Sequence, residues 1–186
     1  MARARTSQAG RPGEDRRDLL LAGAGLALAT ATVPASAREA SVPLVPPRTE
    51  FVYEAVVDIA PTVPFGDSPL GERRIVPITG GTFEGPGIRG KVLLGGADRQ
   101  LIRKDGVRRL DALYEMQADD GAIITVRNQV LIAPGVGGAP DYRFSTLDIT
   151  APEGPHAWLN RLVFVGTLHG LRPAREAVLV RVFKLV

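Results

Sequence analysis

A carboxyl group shielded from water keeps its proton to higher pH, which suits it to general acid–base work. Three places in this chain of 186 residues offer one. Asp98 ends the run Gly95-Gly96-Ala97-Asp98, where it either caps a turn by accepting backbone N–H bonds or points into the protein, and it is the foremost candidate base. Glu84 follows Gly80-Gly81-Thr82-Phe83 and would project from a tight turn, as an exposed carboxylate or as a group at a cavity mouth. In Asp119-Asp120-Gly121 one Asp suffices for a turn, which leaves Asp120 for a ligand. Arg73-Arg74 puts neighbouring side chains on opposite faces of a strand. One guanidinium, taken as Arg74, then points inward to hold a carboxylate of the protein or of a substrate. Tyr114 offers an apolar wall with a hydroxyl tip and, with Arg74, could stabilise charge as Asp98 or Glu84 acts as base. Asn128 shares a face with Ile124 and Val126, and Trp158 and Asn160 share one with Leu162 and Phe164. Such polar groups on apolar faces either line a pocket or are satisfied core amides.

Several chemistries are absent from the sequence. There is no Cys, hence no thiol nucleophile, disulfide or thiolate metal site. His156 and His169 are the two imidazoles, too few for a multi-His centre, and neither a metal nor a cofactor is expected. Gly85-Pro-Gly-Ile-Arg-Gly90 fits the dinucleotide pattern, but a strand follows it and Pro86 lacks a backbone donor, so it reads as a turn. No G-x-S-x-G elbow is present. The formal net charge of +3 falls largely on residues 1–37, where five Arg meet three acids. The remaining +1 does not describe a nucleic-acid partner.

The elements that must position these groups read as strands. Phe51, Tyr53, Ala55, Val57 and Ile59 alternate with Glu54 and Asp58, the pattern of a half-buried strand. Further strands are expected at 72–79, 88–94, 98–104, 108–118, 122–132, 142–150, 158–168 and 176–186, with Asp105-Gly106 and Asp119–Gly121 as hairpin turns. With 21 Gly, 15 Pro and no apolar stripe of helical period beyond residue 50, the chain is expected to be all-β. The expected architecture is a single antiparallel barrel of about eight to nine strands, since closure removes free edges. The final strand carries apolar residues on both faces, so cover by a loop or by a second subunit of a homo-oligomer is expected.

The N-terminus has the three parts of an export signal. Residues 1–18 are basic, Leu19 to Ala37 carry no charge, and Ala35-Ser36-Ala37 forms a small-residue cleavage pattern. Arg16-Arg17 before Asp18-Leu19-Leu20 resembles the twin-arginine type. Residues 1–37 are therefore expected to be a signal peptide, 38–49 a Pro-rich linker and 50–186 the barrel. The mature protein would be periplasmic or extracellular, without stable membrane insertion.

Residues 71–128 carry a longer signature: Gly71-Glu-Arg-Arg-Ile-Val-Pro-Ile-Thr-Gly-Gly-Thr-Phe-Glu-Gly-Pro-Gly-Ile-Arg-Gly90, Gly95-Gly-Ala-Asp98, Leu110-Asp-Ala-Leu-Tyr114 and Asp119-Asp-Gly-Ala-Ile-Ile-Thr-Val-Arg-Asn128. Together with Trp158–Thr167, this resembles the domain-of-unknown-function 3237 family, also called uncharacterised protein family 0311. The resemblance covers about residues 50–186 and implies an antiparallel β-barrel without a settled activity. Arg99 departs from the family, where an aromatic residue is common after the GGAD motif. The stretch Pro134–Pro140 is also short and Gly-rich, altering access to any pocket that this loop covers.

Three functions are compatible with these features: a small-molecule-binding barrel, a cofactor-independent isomerase, cyclase or lyase, and a structural subunit. A buried carboxylate in the pocket would favour the enzyme. If the strands form a simple meander, Glu84, Asp98 and Asp120 surround one barrel opening, with Arg74 and Tyr114 on its walls, and the site should prefer cationic or hydroxyl-bearing ligands. N-terminal sequencing of the protein from its producing cell should begin at Arg38; an intact Met1 on the abundant soluble form would overturn the export reading.

Overall fold

The computed structural model describes residues 43–186; the signal-peptide reading of residues 1–37 lies outside that range. Ten strands run in chain order: β1 (Thr49–Ile59), β2 (Val63–Ser68), β3 (Gly71–Gly85), β4 (Ile88–Val92), β5 (Ala97–Ile102), β6 (Arg108–Ala118), β7 (Ile123–Ala133), β8 (Tyr142–Thr150), β9 (Phe164–Gly170) and β10 (Ala177–Leu185). Neighbours from β6 to β10 pair consecutively and antiparallel, and β10 pairs with β1. β1 also pairs with β3, which closes the sheet into a barrel. The side chains obey the two-residue period of a strand. On β6, for example, Leu110, Ala112, Tyr114, Met116 and Ala118 are buried while Arg109 and Leu113 are exposed.

Ten strands fill eight positions because two positions are each built from two collinear pieces. β3 is the long strand that spans them. Its first half pairs with β2 on one side and β5 on the other, and its second half with β1 and β4. β4 and β5 therefore run in the same direction, interrupted by residues 93–96. β2 is a strand that the pattern Pro-Thr-Val-Pro-Phe-Gly did not suggest. It pairs with β3 alone, so Pro64 on its free edge costs no ladder bond.

The expected turn at Gly80–Gly85 is instead the second half of β3. Gly80 and Gly81 have φ of 148° and 136°, and the β1–β3 register shifts beside them, between Asp58 and Ile59. A Cβ at Gly81 would stand 2.0 Å from the Val56 carbonyl oxygen. Two bare backbones bend and press against β1 here, as a bulge allows. The strand expected at 158–168 begins only at Phe164; residues Ala157–Arg161 form a short 3-10 helix. The Asn160 amide causes this departure by clasping the backbone of Ala151, accepting from its N–H at 2.8 Å and donating to its carbonyl at 2.9 Å. On β10, outward Leu179 and Phe183 are half-buried, and Phe51 packs edge-on against Phe183 with centroids 5.9 Å apart.

The core is concentrated in one half of the barrel, around Tyr53, Phe83, Met116, Ile124, Phe164 and Val182, with Leu159 of the 3-10 helix plugging that end. The other half holds only the small cluster Leu110, Val130 and Ile132, packed against Leu168. An eight-stranded barrel is just wide enough to be filled by side chains or to hold one small ligand, and here each outcome occupies one half. Gly81→Ala should lower stability by roughly 2 kcal/mol or more through positive-φ strain and the clash with Val56. A urea midpoint equal to wild type would show that β1 and β3 do not approach this closely.

Candidate functional site

The barrel ends differ. At the open end lie the last residues of β1, β5, β7 and β9 and the first of β3, β6, β8 and β10. A cavity of about 270 Å³ enters the barrel from this end. Its walls combine apolar residues such as Val76, Leu110 and Val130 with Arg74, Asp98, Gln100, Arg108, Tyr114 and Asn128.

Register explains why these groups meet. Asp98 on β5 and Asn128 on β7 both pair with Ala112 of β6. They therefore occupy one ring of the barrel, about 10 Å apart across two strand spacings, with only a methyl group between them. Arg74 pairs with Gln100, one inward step nearer the mouth. Tyr114 is one inward step deeper on β6, and the neighbouring β4–β5 break sets its position: a Cβ at Gly96 would stand 2.5 Å from Tyr114 Cβ.

The polar groups form a directed chain. Arg74 Nε donates to Gln100 Oε1 at 2.8 Å, and Gln100 Nε2 donates to Asp98 Oδ2 at 2.5 Å. The Asp111 backbone N–H donates to Asp98 Oδ1 at 3.1 Å. Gln100 thus relays the orientation of Arg74 to the carboxyl without a direct ion pair. Burial raises the Asp98 pKa above its ordinary 3.8, and the Gln100 and Asp111 hydrogen bonds and the Arg74 charge only partly offset it. Burial also raises the Tyr114 phenol, so it remains a neutral O–H at any physiological pH. Tyr53, fully buried, is raised further by Tyr114 beside it. Asn128 Oδ1 is buried without a hydrogen-bond partner among the described residues, and the buried Tyr53 and Tyr114 hydroxyls face only each other. Asn128 is only 2% exposed, so its carbonyl is an unspent acceptor on the cavity wall.

The structure thus brings together Asp98, Arg74, Tyr114 and Asn128 and sets four other expected residues apart from them. Glu84 is exposed and points outward, because Phe83 beside it takes the inward position. Asp120 lies at the plugged end, where its Oδ1 accepts from the Ala122 N–H at 3.1 Å and its Oδ2 meets His156 Nε2 at 3.1 Å. The Ala122 bond first and the nearby His156 second hold its pKa down. Asp119 pairs with Arg89 instead. Trp158 packs at the same end against Phe164, with centroids 6.4 Å apart, and Asn160 is occupied with Ala151. The meander that would gather three carboxylates at one mouth fails because β4 and β5 run the same way. Asp98 therefore sits opposite Val76 in mid-barrel, far along β3 from Glu84. One carboxylate among arginines also removes the basis for expecting a cationic ligand. Gln100, Arg108 and Arg143 were not singled out from the sequence, although Gln100 is two residues from Asp98 and Arg108 alternates with Leu110 and Ala112, each on an inward face. Among the described residues, no three His, Asp or Glu side chains converge as metal ligands would.

A family model described as Protein of unknown function (DUF3237) matches residues 47–185. A UPF0311 protein of Rhodopseudomonas palustris is 42% identical over 81 residues, 44% of this chain and 53% of that protein. The chain thus spans about half the length of the first curated relatives it matches. A hydroalkoxylation enzyme of Penicillium herquei is 30% identical over 122 residues, 66% of this chain and 74% of that protein. Among solved structures, a conserved protein of unknown function from Rhodopseudomonas palustris superposes with a TM-score of 0.70 at 30% identity, covering 77% of this chain and 100% of that one. A β-barrel-like protein from Acinetobacter baumannii does so with a TM-score of 0.70 at 30% identity, covering 77% and 99%.

The Asp98 shift carries a sign for stability. Because its native pKa lies above 3.8, the folded state holds the proton more tightly than the unfolded state. The resulting stabilisation is complete below the unfolded value and is lost as pH rises through the native value. Asp98→Asn should therefore flatten this part of the stability–pH curve, measured by urea unfolding from pH 3 upward. An unchanged curve would place the Asp98 carboxyl in water.

Proposed function

The chain belongs to the DUF3237 family of proteins of unknown function, and from that premise we propose that it is a cofactor-independent acid–base enzyme acting on a small organic substrate. The observation that carries this reading is the Asp98 carboxyl, half-buried on the wall of the barrel cavity, raised in pKa by its loss of water, and held by Gln100 and the Asp111 backbone. Such perturbed groups in clefts are what proton transfer near neutral pH requires. The similarity to a hydroalkoxylation enzyme supports a reaction class, the addition of a hydroxyl across a carbon–carbon double bond or its reversal. These are cyclase and lyase chemistries.

In that reaction protonated Asp98 gives its proton to one alkene carbon as the π bond breaks. The substrate hydroxyl oxygen bonds to the other carbon, and its proton passes to the Asp98 carboxylate, restoring the acid. No electrons leave the substrate. Arg74, through Gln100, positions the carboxyl and tempers its charge in the ionised state. Asn128 Oδ1 accepts from a further donor on the substrate, and Tyr114 walls the inner end of the cavity. The Arg16-Arg17 segment and the Ala35-Ser36-Ala37 site support a workplace outside the cytoplasm.

The test uses 2-allylphenol and its methyl-substituted alkene analogues in D₂O. Wild type should convert a member of the series to the cyclic ether with one deuterium on the former alkene carbon. Asp98→Asn should lose about a hundredfold or more in rate, with Asp98→Glu recovering part of it and melting curves confirming that both variants fold. Equal turnover by Asp98→Asn would refute the assignment. Saturable binding of the series by wild type without turnover would favour a ligand-binding barrel instead.

A further inference from the structure

The cavity mouth carries more positive charge than its own carboxylates neutralise. Four guanidinium groups line it, from Arg74, Arg108, Arg143 and Arg172, against the single lining carboxylate Asp98. Two of the four are already occupied at the rim: Arg143 pairs with Asp141 at 2.8 Å, and Arg172 pairs with Glu176. Arg74 and Arg108 form no salt bridge among the described residues, and Arg74 spends one N–H on neutral Gln100. Both are partly buried, so water does not fully screen them.

Register turns this surplus into a position. Arg108 and Arg143 both pair with Ile132 and so share the outermost ring. Asp98 and Asn128 share the ring of Ala112, four residues further along β6. Four residues of strand span about 13 Å, or about 10 Å along the axis of a barrel with strands tilted near 40°. Arg74 lies at the intermediate level of Leu110 and Val130. The Arg108 guanidinium at the rim and the Asp98 carboxyl are therefore separated by one inward ring, which carries Leu110 and Val130 on one side and Arg74 and Gln100 on the other. A dry cavity of about 150 Å³ admits benzene; one of 270 Å³ admits a substituted or fused ring system. The unpartnered Asn128 Oδ1 marks the inner end as a place for a donor on the ligand.

We propose that the cavity binds a monoanionic, ring-sized molecule oriented by its charge, with a carboxylate held at the mouth by Arg108 and a neutral, hydroxyl-bearing end at Asp98 and Asn128. The planar fork of Arg matches a carboxylate in two parallel hydrogen bonds, which fixes direction as well as affinity. The anion stays an apolar ring away from Asp98, so that carboxyl faces the uncharged part of the ligand. This deepens the catalytic reading by naming the substrate class, and binding measurements alone decide it.

The probes are 2-naphthoate, 2-naphthamide and 2-naphthylmethylamine, titrated calorimetrically into the full-length protein at pH 7.5. Naphthoate should bind about ten- to a hundredfold more tightly than the isosteric amide, the worth of a charge-assisted hydrogen-bonded contact, and the amine should bind most weakly. Arg108→Gln should bring naphthoate to within about threefold of the amide while leaving amide affinity unchanged. Arg143→Gln, whose guanidinium is tied to Asp141, should change the ratio less. Asp98→Asn should keep the naphthoate preference even where turnover is lost. Equal or tighter binding of the amide or amine, a preference indifferent to Arg108→Gln, or no binding of any probe would overturn the proposal. Persistent naphthoate preference with undiminished turnover by Asp98→Asn would instead remove the acid–base reading and leave this one standing.

Discussion

The pairing of β1 with both β10 and β3 is the constraint on which the molecule depends. An open sheet of these strands would leave two edges unpaired and one apolar face in water. Closure satisfies both at once, but the ring can close only where β3 bends at Gly80–Gly81 and comes against Val56 with no side chain between. The bend has a second effect. It divides β3 into halves with different partners on each side, and so splits two barrel positions into collinear pieces. The interruption between β4 and β5 supplies Gly96 against Tyr114 and starts β5 with Asp98 facing inward, so the geometry that closes the barrel also installs its half-buried acid.

An interior of this width has to be either packed or used. The plugged half is packed: aromatic and aliphatic side chains fill it, the 3-10 helix seats Leu159 in it, and the Asn160 clasp and the Asp120–His156 contact secure the lid from outside. The open half cannot be packed in this way, because Arg74, Asp98, Gln100 and Arg108 occupy inward positions that would otherwise hold aliphatic chains. Each polar group displaced from water there requires a partner, and the structure supplies them unevenly. Asp98 accepts two hydrogen bonds and Arg74 donates one, whereas Asn128 Oδ1 accepts none. Stability is thus concentrated at one end and unspent binding capacity at the other.

The alternation of strand residues was legible from the first, since a period of two needs no knowledge of what lies opposite, and it was enough for an all-β antiparallel barrel. It also placed Tyr114 and Asn128 on apolar faces and one of Arg73 and Arg74 inward, while leaving Asp98 open between a turn cap and an inward group. Inward direction, however, does not say at what depth or beside what. Glu84 and Asp120 looked like companions of Asp98 because glycine-rich segments were read as turns, and turns collect at barrel ends. Glycine serves equally well where two strands must touch. At Gly81 the close approach to Val56 decided between these uses, and only the folded chain contains that contact. Asn160 and Trp158 were read on a strand for a related reason: local alternation continued past the point where a side-chain amide captured the backbone of Ala151.

The sequence by itself therefore determined the fold class and the faces of most strands, because both follow from the local stereochemistry of alternating side chains. The tertiary structure alone decided the register that sets Asp98 and Asn128 across Ala112, the common direction of β4 and β5, and the gathering of Arg74 and Arg108 above a single carboxylate. Those depend on hydrogen bonds between strands distant in the chain, and a shift of two residues in any pairing would preserve every inward face while assembling a different site.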